Sequence, residues 1–428
     1  MPPKPAAKKP AAKGKKKGKA TPEPPIVLAP PIPLVLIARL KLKLDAHTAT
    51  VSTLFMGDFD KSTLYSAGSD NKIIFWDVQT MQPKLQLQGS TEYGGTLELA
   101  VTEQWYQPPP PVLPQPVEPP PPPPVYDSKG KLKKQKPPPK KKVKEPPPPP
   151  TPNPIQVLTL ITTTSRGFLQ VWQVVGLREY IDNSLLREYQ LQYPVEGCEP
   201  PDELPPPSWA CIHTISISSP NGTRYPANAL AVQGSTAVYS GGRDHHLRRW
   251  DLNTWDCVAD LEFSEGINKL HFHGENTLLA GCTDKKIRVV NTQTMEVTHV
   301  LTGHHGAVLT ITSLQDGQFL SGSGDGTVKF WKLHDRGMPG VLGVWNCTKT
   351  LDNGVGVHSL LACGPCQIVV GGSDGAAKLW FWNVHKKNAD WECARSITAE
   401  SKGALGTLFA HDYSLLTAGS DRHIRVYR

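Results

Sequence analysis

The sequence lacks the features that mark membrane and secreted proteins. Three prolines, Pro30, Pro31 and Pro33, interrupt the apolar stretch at 26–40 before it reaches the roughly 20 residues of a membrane-spanning helix. The first residues are rich in lysine and proline and contain no apolar core of a secretory signal. The eight cysteines are scattered rather than grouped as a disulfide framework. We therefore expect an intracellular protein with reduced, structural cysteines and no membrane partner.

Acidic residues are missing from the N-terminal segment, and aromatic residues are nearly missing from both basic segments. Residues 1–22 contain eight lysines and no acid, and residues 107–154 contain nine lysines against three acids. The whole chain carries +8, so these segments, at +8 and +6, leave the remainder at −6. The basic character therefore belongs to two segments, and the rest of the chain is mildly acidic.

Neither basic segment has the composition of a folded core. Residues 1–34 are dominated by lysine, proline and alanine, which predicts a disordered tail. Residues 107–154 contain 22 of the 43 prolines, which predicts an extended, disordered insertion of the polyproline II type. A second insertion is predicted at 174–207, where the pattern is compatible with either a short helix or an outer strand.

A short pattern recurs through the rest of the chain. In its clearest copy, at 320–331, two β-forming runs flank a turn at Gly324-Asp325-Gly326. An aspartate lies six residues before an aromatic or apolar residue in the pairs Asp70/Trp76, Asp244/Trp250, Asp284/Val290, Asp325/Trp331, Asp374/Trp380 and Asp421/Tyr427. A seventh copy, Arg166/Trp172, keeps the tryptophan but not the aspartate. This recurrence indicates a repeat architecture.

These repeats resemble the WD-repeat family of β-propellers, through Ser66–Asp70 with Trp76-Asp77, Ser240–Asp244 with Trp250-Asp251, and Gly303-His304. The resemblance implies an all-β fold in which residues 35–428 form a ring of seven four-stranded blades. We predict the blades at 48–87, 97–173 (interrupted by 107–154), 210–252, 258–290, 297–331, 344–380 and 393–427.

A segment near the N-terminus is expected to close this ring. Leucine and lysine alternate over 38–44, as in an amphipathic strand. The last repeat reaches only its third strand at Tyr427. We predict that 38–44 supplies the missing outer strand of blade seven and so covers a sheet edge.

Two sets of polar residues have the composition of a catalytic triad plus a tryptophan: His47, Ser66, Asp70 and Trp76, and His304, Ser321, Asp325 and Trp331. The family resemblance instead implies buried, structural hydrogen-bond networks, because a catalytic serine would need exposure and an oxyanion hole. We expect no enzyme activity, no cofactor, no metal and no small-molecule substrate. Blades without the full set are expected to rely on apolar packing.

Cys363-Gly364-Pro365-Cys366 matches the thioredoxin redox motif in its letters. That motif works at a helix N-terminus, where the first thiol is activated. The pattern here predicts a hairpin turn leading into a strand at 367–370. We therefore expect neither redox chemistry nor metal binding from these cysteines.

The basic segments are the stronger candidates for a function. Both are predicted to leave one face of the ring, where their lysines would attract a polyanion. The candidate polyanion-binding residues are Lys15, Lys16, Lys17, Lys133, Lys134, Lys140, Lys141 and Lys142. Pro123, Pro124 and Tyr126 fit the ligand motif of WW domains, although a spacer role also accounts for this segment.

We therefore predict a scaffold that binds other proteins in a multi-subunit assembly. Two settings fit the basic segments. The first is an axonemal or microtubule-associated complex in the cytoplasm, with the segments on acidic tubulin tails. The second is a nuclear or nucleolar complex in ribosome assembly, with the segments on RNA. The near absence of aromatic residues predicts that any RNA binding would be independent of sequence.

Overall fold

The computed structural model describes residues 40–56, 62–106, 155–177, 206–217, 222–314, 317–334, 343–383, 390–398, 403–411 and 414–427, together with residues 180, 183, 187 and 191. The predicted tail at 1–34 and the predicted insertion at 107–154 lie outside these residues. No helix within the described ranges is long and apolar enough to span a bilayer.

The described residues form 28 strands, and these pair into seven antiparallel sheets of four strands each. The first strand, β1 (Leu40–Leu44), belongs to the last sheet. Blade one consists of β2 (Val51–Met56), β3 (Thr63–Gly68), β4 (Lys72–Asp77) and β5 (Pro83–Gln88). A 3₁₀ turn at Thr91–Tyr93 leads to blade two, which consists of β6 (Thr96–Tyr106), β7 (Ile155–Thr164), β8 (Phe168–Val175) and β9 (Ser208–Ser216).

The remaining blades follow in chain order. Blade three contains β10 (Ala229–Gln233), β11 (Ala237–Gly241), β12 (His246–Asp251) and β13 (Cys257–Glu262). Blade four contains β14 (Ile267–Phe272), β15 (Thr277–Cys282), β16 (Ile287–Asn291) and β17 (Glu296–Leu301). Blade five contains β18 (Val308–Ser313), β19 (Gln318–Ser323), β20 (Thr327–His334) and β21 (Val344–Asp352). Blade six contains β22 (Val357–Ala362), β23 (Gln367–Gly372), β24 (Ala376–Asn383) and β25 (Asp390–Thr398). Blade seven contains β26 (Thr407–His411), β27 (Ser414–Ala418), β28 (Ile424–Tyr427) and β1.

The ring closes as predicted, because β1 is the outer strand of blade seven. It pairs antiparallel with β28, and Leu44 lies opposite Ile424. The expected burial of one leucine face holds only at Leu44. Leu40 is 42% exposed and Leu42 is 39% exposed. The strand therefore closes the ring mainly through its backbone hydrogen bonds.

The strand pairings change the predicted blade boundaries. The segment predicted as blade three, 210–252, begins inside β9, which pairs with β8 and completes blade two. The segments predicted at 258–290, 297–331, 344–380 and 393–427 likewise begin inside the outer strand of the preceding blade. The sequence repeat therefore straddles two blades, because every outer strand from β5 to β25 pairs with the third strand that precedes it in the chain, whereas β1 pairs with β28.

The described residues of the second insertion favour a short helix over an outer strand. Leu177, Tyr180, Asn183, Arg187 and Leu191 are helical. Leu177 is buried in the apolar cluster between blades one and two, and Tyr180 packs against that cluster. The outer strand of blade two is supplied by β9 instead.

The core lies between the blades. Apolar side chains of each blade pack on those of the next, and together they form seven buried clusters among the described residues. Between blades seven and one, for example, Leu416 and Val426 pack with Leu64 and Trp76. Burial of apolar area stabilises at about 25 cal/mol per Å². Because every cluster needs two neighbouring blades, the closed ring is the unit that folds.

Candidate functional site

The four polar residues of blade one form a continuous hydrogen-bond network. Trp76 on β4 donates its Nε1–H to the Ser66 hydroxyl on β3 over 2.8 Å, and His47 Nε2 lies 2.8 Å from the same hydroxyl. On its other side, His47 Nδ1 lies 3.1 Å from Asp70 Oδ1. One proton arrangement satisfies all four groups: the hydroxyl donates to Nε2, and Nδ1–H donates to the carboxylate. Ser66 is completely buried.

Blade five repeats this network. Trp331 donates its Nε1–H to Ser321 over 2.8 Å, and His304 Nε2 lies 2.7 Å from the same hydroxyl. Burial would raise the pKa of Asp325, but hydrogen bonds from Thr327, from the backbone N–H of His305 and from His304 outweigh it and hold that pKa well below its ordinary value. Burial lowers the pKa of His304. The network therefore combines a carboxylate with a neutral imidazole at neutral pH.

These networks are structural rather than catalytic. Both serines are 0% exposed, so a substrate carbonyl cannot reach their oxygens. Each hydroxyl already accepts a hydrogen bond from a tryptophan and contacts an imidazole. A nucleophilic serine needs access and an oxyanion hole beside it.

Blades three, four and seven hold the same aspartate with arginine, which the expectation of apolar packing missed. Arg248 contacts Asp244, Arg288 contacts Asp284, and Arg425 contacts Asp421. Arg288 also donates to Ser264 over 2.6 Å. The signal was present in the sequence, because each arginine lies four residues after the aspartate of the turn.

The described residues of blade six form neither a histidine network nor an aspartate–arginine pair. Its tryptophan, Trp380, packs against the apolar cluster that contains Val370, which stands at the position where other blades carry a hydroxyl. The buried Trp380 Nε1 has no hydrogen-bond partner among the described residues. Its equivalents in blades two and three, Trp172 and Trp250, reach Thr162 and Ser240 over 3.4 and 2.8 Å.

The two cysteines of the redox-like motif are not activated. Cys363 follows β22 and Cys366 precedes β23, so the motif is a hairpin turn, in which the backbone N–H of Cys363 donates to the Gln367 carbonyl over 2.9 Å. Burial raises the pKa of Cys363 to about 12 and also raises that of Cys366. A thiol that stays protonated is a poor nucleophile and a poor metal ligand. Elsewhere in the described part of the chain, no group of three or more residues is arranged to hold a metal ion.

A cavity of about 690 Å³ lies along the inner strands of blades one to four. Lys269 of β14 reaches across it to Glu98 of β6, with Nζ 2.9 Å from Oε1. His271 Nε2 accepts a hydrogen bond from the backbone N–H of Ser313 over 3.0 Å. Burial lowers the pKa of His271 to about 4. The ion pair between Lys269 and Glu98 thus ties blade two to blade four across the cavity.

The attachment points of the two basic segments lie on one face. In an antiparallel blade, the link between the first two strands and the link between the last two strands leave from the same end. Tyr106 and Ile155 form the last pair of β6 and β7, and Leu40 starts β1 opposite Tyr427. Because the blades repeat around the ring, both points lie on the same face, in blades two and seven. The candidate lysines and the candidate WW ligand lie outside the described residues, so their roles stay predictions.

Comparison with known proteins identifies the repeats. The family model "WD domain, G-beta repeat" matches residues 38–77 and 295–332, the two segments that hold the complete histidine networks. A WD repeat-containing protein of Arabidopsis thaliana, ATCSA-1, is 26% identical over 135 residues, or 30% of each chain. A ribosome biogenesis protein of Aspergillus oryzae, ytm1, is 25% identical over 220 residues, which is 50% of this chain and 39% of the relative. An LST8 homologue of Dictyostelium discoideum is 25% identical over 236 residues, or 45% of this chain and 75% of the relative. The chain thus spans well under half the length of the first two relatives.

Proposed function

Because this chain is a seven-bladed β-propeller of the WD-repeat family, we propose that it is a non-enzymatic scaffold that holds other proteins in a multi-subunit intracellular assembly. The observation that carries this proposal is that the polar groups of the blades are bonded to each other inside the ring. The serines, histidines, aspartates and arginines that could support chemistry are buried in pairs and networks that join strands. What the ring offers to other molecules is a rigid surface with many turns.

We propose that the two basic segments bind a polyanion beside one face of this ring. Their attachment points, next to Leu40 and between Tyr106 and Ile155, bring the segments to the same face. Together they carry +14 on a chain whose remainder carries −6. The positive charge of the segments should therefore attract a polyanion more strongly than the mildly negative ring repels it.

RNA is the polyanion that we favour, in a nuclear or nucleolar complex of ribosome assembly. The support is the similarity to the ribosome biogenesis protein of Aspergillus oryzae, which covers half of this chain. The competing setting is an axonemal or microtubule-associated complex, in which the segments bind acidic tubulin tails. None of the three relatives named above supports that setting.

Replacing the eight candidate lysines with glutamine tests the choice between these settings. We expect RNA affinity to fall and the dependence of log K on log salt to flatten by about 0.7 for each phosphate that a lysine no longer neutralises. Lys285→Gln, an exposed lysine of a turn on the opposite face, is the matched control and should change neither quantity. Unchanged RNA binding, together with loss of co-sedimentation with microtubules, would contradict the RNA proposal and support the tubulin one.

The scaffold function itself is tested by affinity purification of the full chain beside a version that lacks 1–22 and 128–145. We expect the ring to retain partner proteins in both, and the shortened version to lose those that depend on the polyanion. Recovery of no stable partner in either case would contradict a scaffold role.

The shared face is tested by chemical cross-linking of the full chain. Lys15–Lys19 and Lys140–Lys144 should cross-link to lysines on the face where β1 begins, such as Lys41. Cross-links confined to the opposite face for one of the two segments would overturn the shared arrangement.

The proline motif is proposed as a spacer first and as a WW ligand second. Tyr126→Ala removes the side chain that such a domain would read, so a WW domain should bind the unmodified chain and not this variant. Equal binding of both chains would remove the WW alternative.

A further inference from the structure

Three arginines lie together on the face of the ring opposite the attachment points of the basic segments. Arg166 is in the turn between β7 and β8, Arg224 is in the connection from blade two to blade three, and Arg243 is in the turn between β11 and β12. All three are exposed. Together with Tyr225, which is 37% exposed, they form what we call the arginine patch.

Two of these arginines stand where the repeat has other residues. Arg166 takes the place of the aspartate that the other six copies carry in this turn. Arg243 stands directly before its aspartate, where the remaining copies have only small residues: Ser69, Ser165, Thr283, Gly324, Ser373 and Ser420. The common structure of the hairpin therefore requires neither arginine.

Backbone contacts bring the three arginine positions together. Gly167 has a φ of +76°, and a Cβ at this position would lie 2.5 Å from the Tyr225 carbonyl oxygen, so only glycine lets the connection lie against the turn. The backbone N–H of Arg243 donates to the Pro226 carbonyl over 3.0 Å. The connection between the two blades therefore joins the turn of Arg166 to the turn of Arg243.

Two of the guanidinium groups are held in place without an acidic partner. Arg166 Nη1 donates to the Glu92 carbonyl over 2.9 Å, and the guanidinium carbon of Arg224 lies 4.7 Å from the centre of the Phe168 ring. Within the described part of the chain no carboxylate pairs with Arg166, Arg224 or Arg243, whereas the buried arginines of blades three, four and seven are paired with aspartates. Groups that are already held lose less entropy when an anion binds.

Acidic residues border the arginine patch on two sides. Glu92 is exposed beside Arg166. Glu265 is exposed in the next connection along the ring, whose end is hydrogen-bonded to the turn of Arg243. An extended polyanion such as RNA would meet these carboxylates, whereas one compact anion fits between them.

We propose that the arginine patch binds a phosphorylated serine or threonine of a partner protein. A phosphate group carries close to two negative charges and three acceptor oxygens, and guanidinium groups bind it through paired hydrogen bonds. Three guanidinium groups match three oxygens better than they match the two of a carboxylate. Because the arginines are exposed rather than at the bottom of a pocket, a short phosphorylated side chain can reach them. This site belongs to the ring and is independent of what the basic segments bind.

Binding of the full chain to a peptide library tests this proposal, at a salt concentration that screens the basic segments. The library has one fixed phosphoserine or phosphothreonine and random neighbours. We expect these peptides to be retained over matched libraries with unmodified serine and threonine, or with glutamate, at the fixed position. In the double variant Arg166→Gln with Arg243→Gln, the dissociation constant of a retained peptide should rise at least tenfold. Lys285→Gln with Arg422→Gln removes the same charge from exposed turns of the same face, and this matched control should change it less than twofold.

Hydrogen exchange supplies a second measurement that depends on the arginine patch alone. Amides of 165–167 and 222–225 should become more protected when a phosphopeptide binds, whereas those of 283–286 should not. Binding without this protection would overturn the proposal. Equal retention of the unmodified library, or of the glutamate library, would also overturn it. An equal loss in both double variants would assign the binding to the general charge of the face and would contradict a specific site.

Two further controls separate this site from the basic segments and from misfolding. Replacing the eight candidate lysines of the segments with glutamine should leave phosphopeptide binding unchanged, whatever it does to RNA binding. The arginine double variant should leave RNA binding unchanged, and a loss of RNA binding there would show that the patch serves RNA and would overturn the proposal. Equal melting temperatures of the two double variants would exclude misfolding as the cause of the lost affinity.

Discussion

Blades one and five differ from blades three, four and seven in how they hold the aspartate of the turn between their second and third strands. In blades one and five the partner is a histidine from the segment before the first strand, His47 or His304. In the other three the partner is an arginine four residues later, on the third strand of the same hairpin. Both arrangements leave a buried carboxylate with a hydrogen-bonded partner, as a charge in that environment requires.

The two arrangements connect different parts of the ring. The arginine pair is local, because both members belong to one hairpin. The histidine network is not local. His304 lies in the connection that arrives from blade four, and it contacts Ser321 on the second strand of blade five and Thr327 on the third. A histidine network therefore fastens the entry of a blade to its centre. An arginine pair stiffens the hairpin, and in blade four Arg288 also reaches the entry of the blade through Ser264. They also differ in titration, because arginine stays charged and histidine does not.

The largest expected effect comes from removing an arginine. Arg425→Met in blade seven leaves Asp421 buried without its cation, and the side chains of this pair are 2% and 7% exposed. Breaking a buried ion pair on one side costs about 3–5 kcal/mol. We expect the free energy of unfolding, measured by denaturant titration, to fall by about that amount.

Arg422→Met is the matched control, because Arg422 is exposed in the same turn. It removes an equal charge without leaving a buried partner, so the loss should stay within about 0.5 kcal/mol. If both variants lost the same stability, the net charge of the turn rather than the buried pair would be responsible.

A serine substitution compares the two kinds of blade directly. Ser321→Ala in blade five leaves both Trp331 Nε1–H and His304 Nε2 without the hydroxyl, and we expect a loss of about 2–3 kcal/mol. Ser240→Ala in blade three leaves only Trp250 Nε1–H, so the loss should be about 1 kcal/mol. Thermal and denaturant unfolding would measure both. Equal losses would show that His304 adds nothing to the network.

The histidine network should also make stability depend on pH. Burial lowers the pKa of His304 below its ordinary value of 6.5, so the unfolded chain binds a proton more readily than the folded one. The stabilisation is therefore complete above pH 6.5 and falls as the pH drops towards the lowered value, with a slope of up to about 1.4 kcal/mol per pH unit. In the His304→Gln variant the slope over this range should decrease. Arg425→Met should lower stability by a constant amount over the same range, and an unchanged slope in His304→Gln would contradict the pH effect.

The ring itself could be predicted from the sequence because its signals are local and repeated. An aspartate or arginine six residues before an aromatic or apolar residue marks each hairpin, and the alternation of Leu42 and Lys43 with their neighbours marks the closing strand. The blade boundaries could not be predicted in this way, because they depend on which neighbour an outer strand such as β9 pairs with. The arginine pairs were missed for a different reason. Arg425 lies four residues after Asp421, in a strand whose other residues are Ile424, Val426 and Tyr427. That spacing is visible in the sequence, but it indicates a contact only once the two residues are known to belong to one hairpin.

The smallest expected effect is in blade six, whose described residues form neither a histidine network nor an arginine pair. Val370→Thr keeps the shape of the side chain and places a hydroxyl where Trp380 Nε1 has no partner among the described residues. The new hydrogen bond should raise the free energy of unfolding by about 1 kcal/mol.

Val369→Thr is the control for this last substitution, because Val369 is equally buried on the same strand and lies in the apolar cluster between blades six and seven. A hydroxyl buried there without a partner should lower the free energy of unfolding by about 1–3 kcal/mol. Opposite signs at adjacent positions would show that the tryptophan N–H of blade six needs a partner even without a histidine. A loss at both positions would mean that blade six has adapted to the unpaired N–H, and that the hydroxyl matters only where a histidine completes the network.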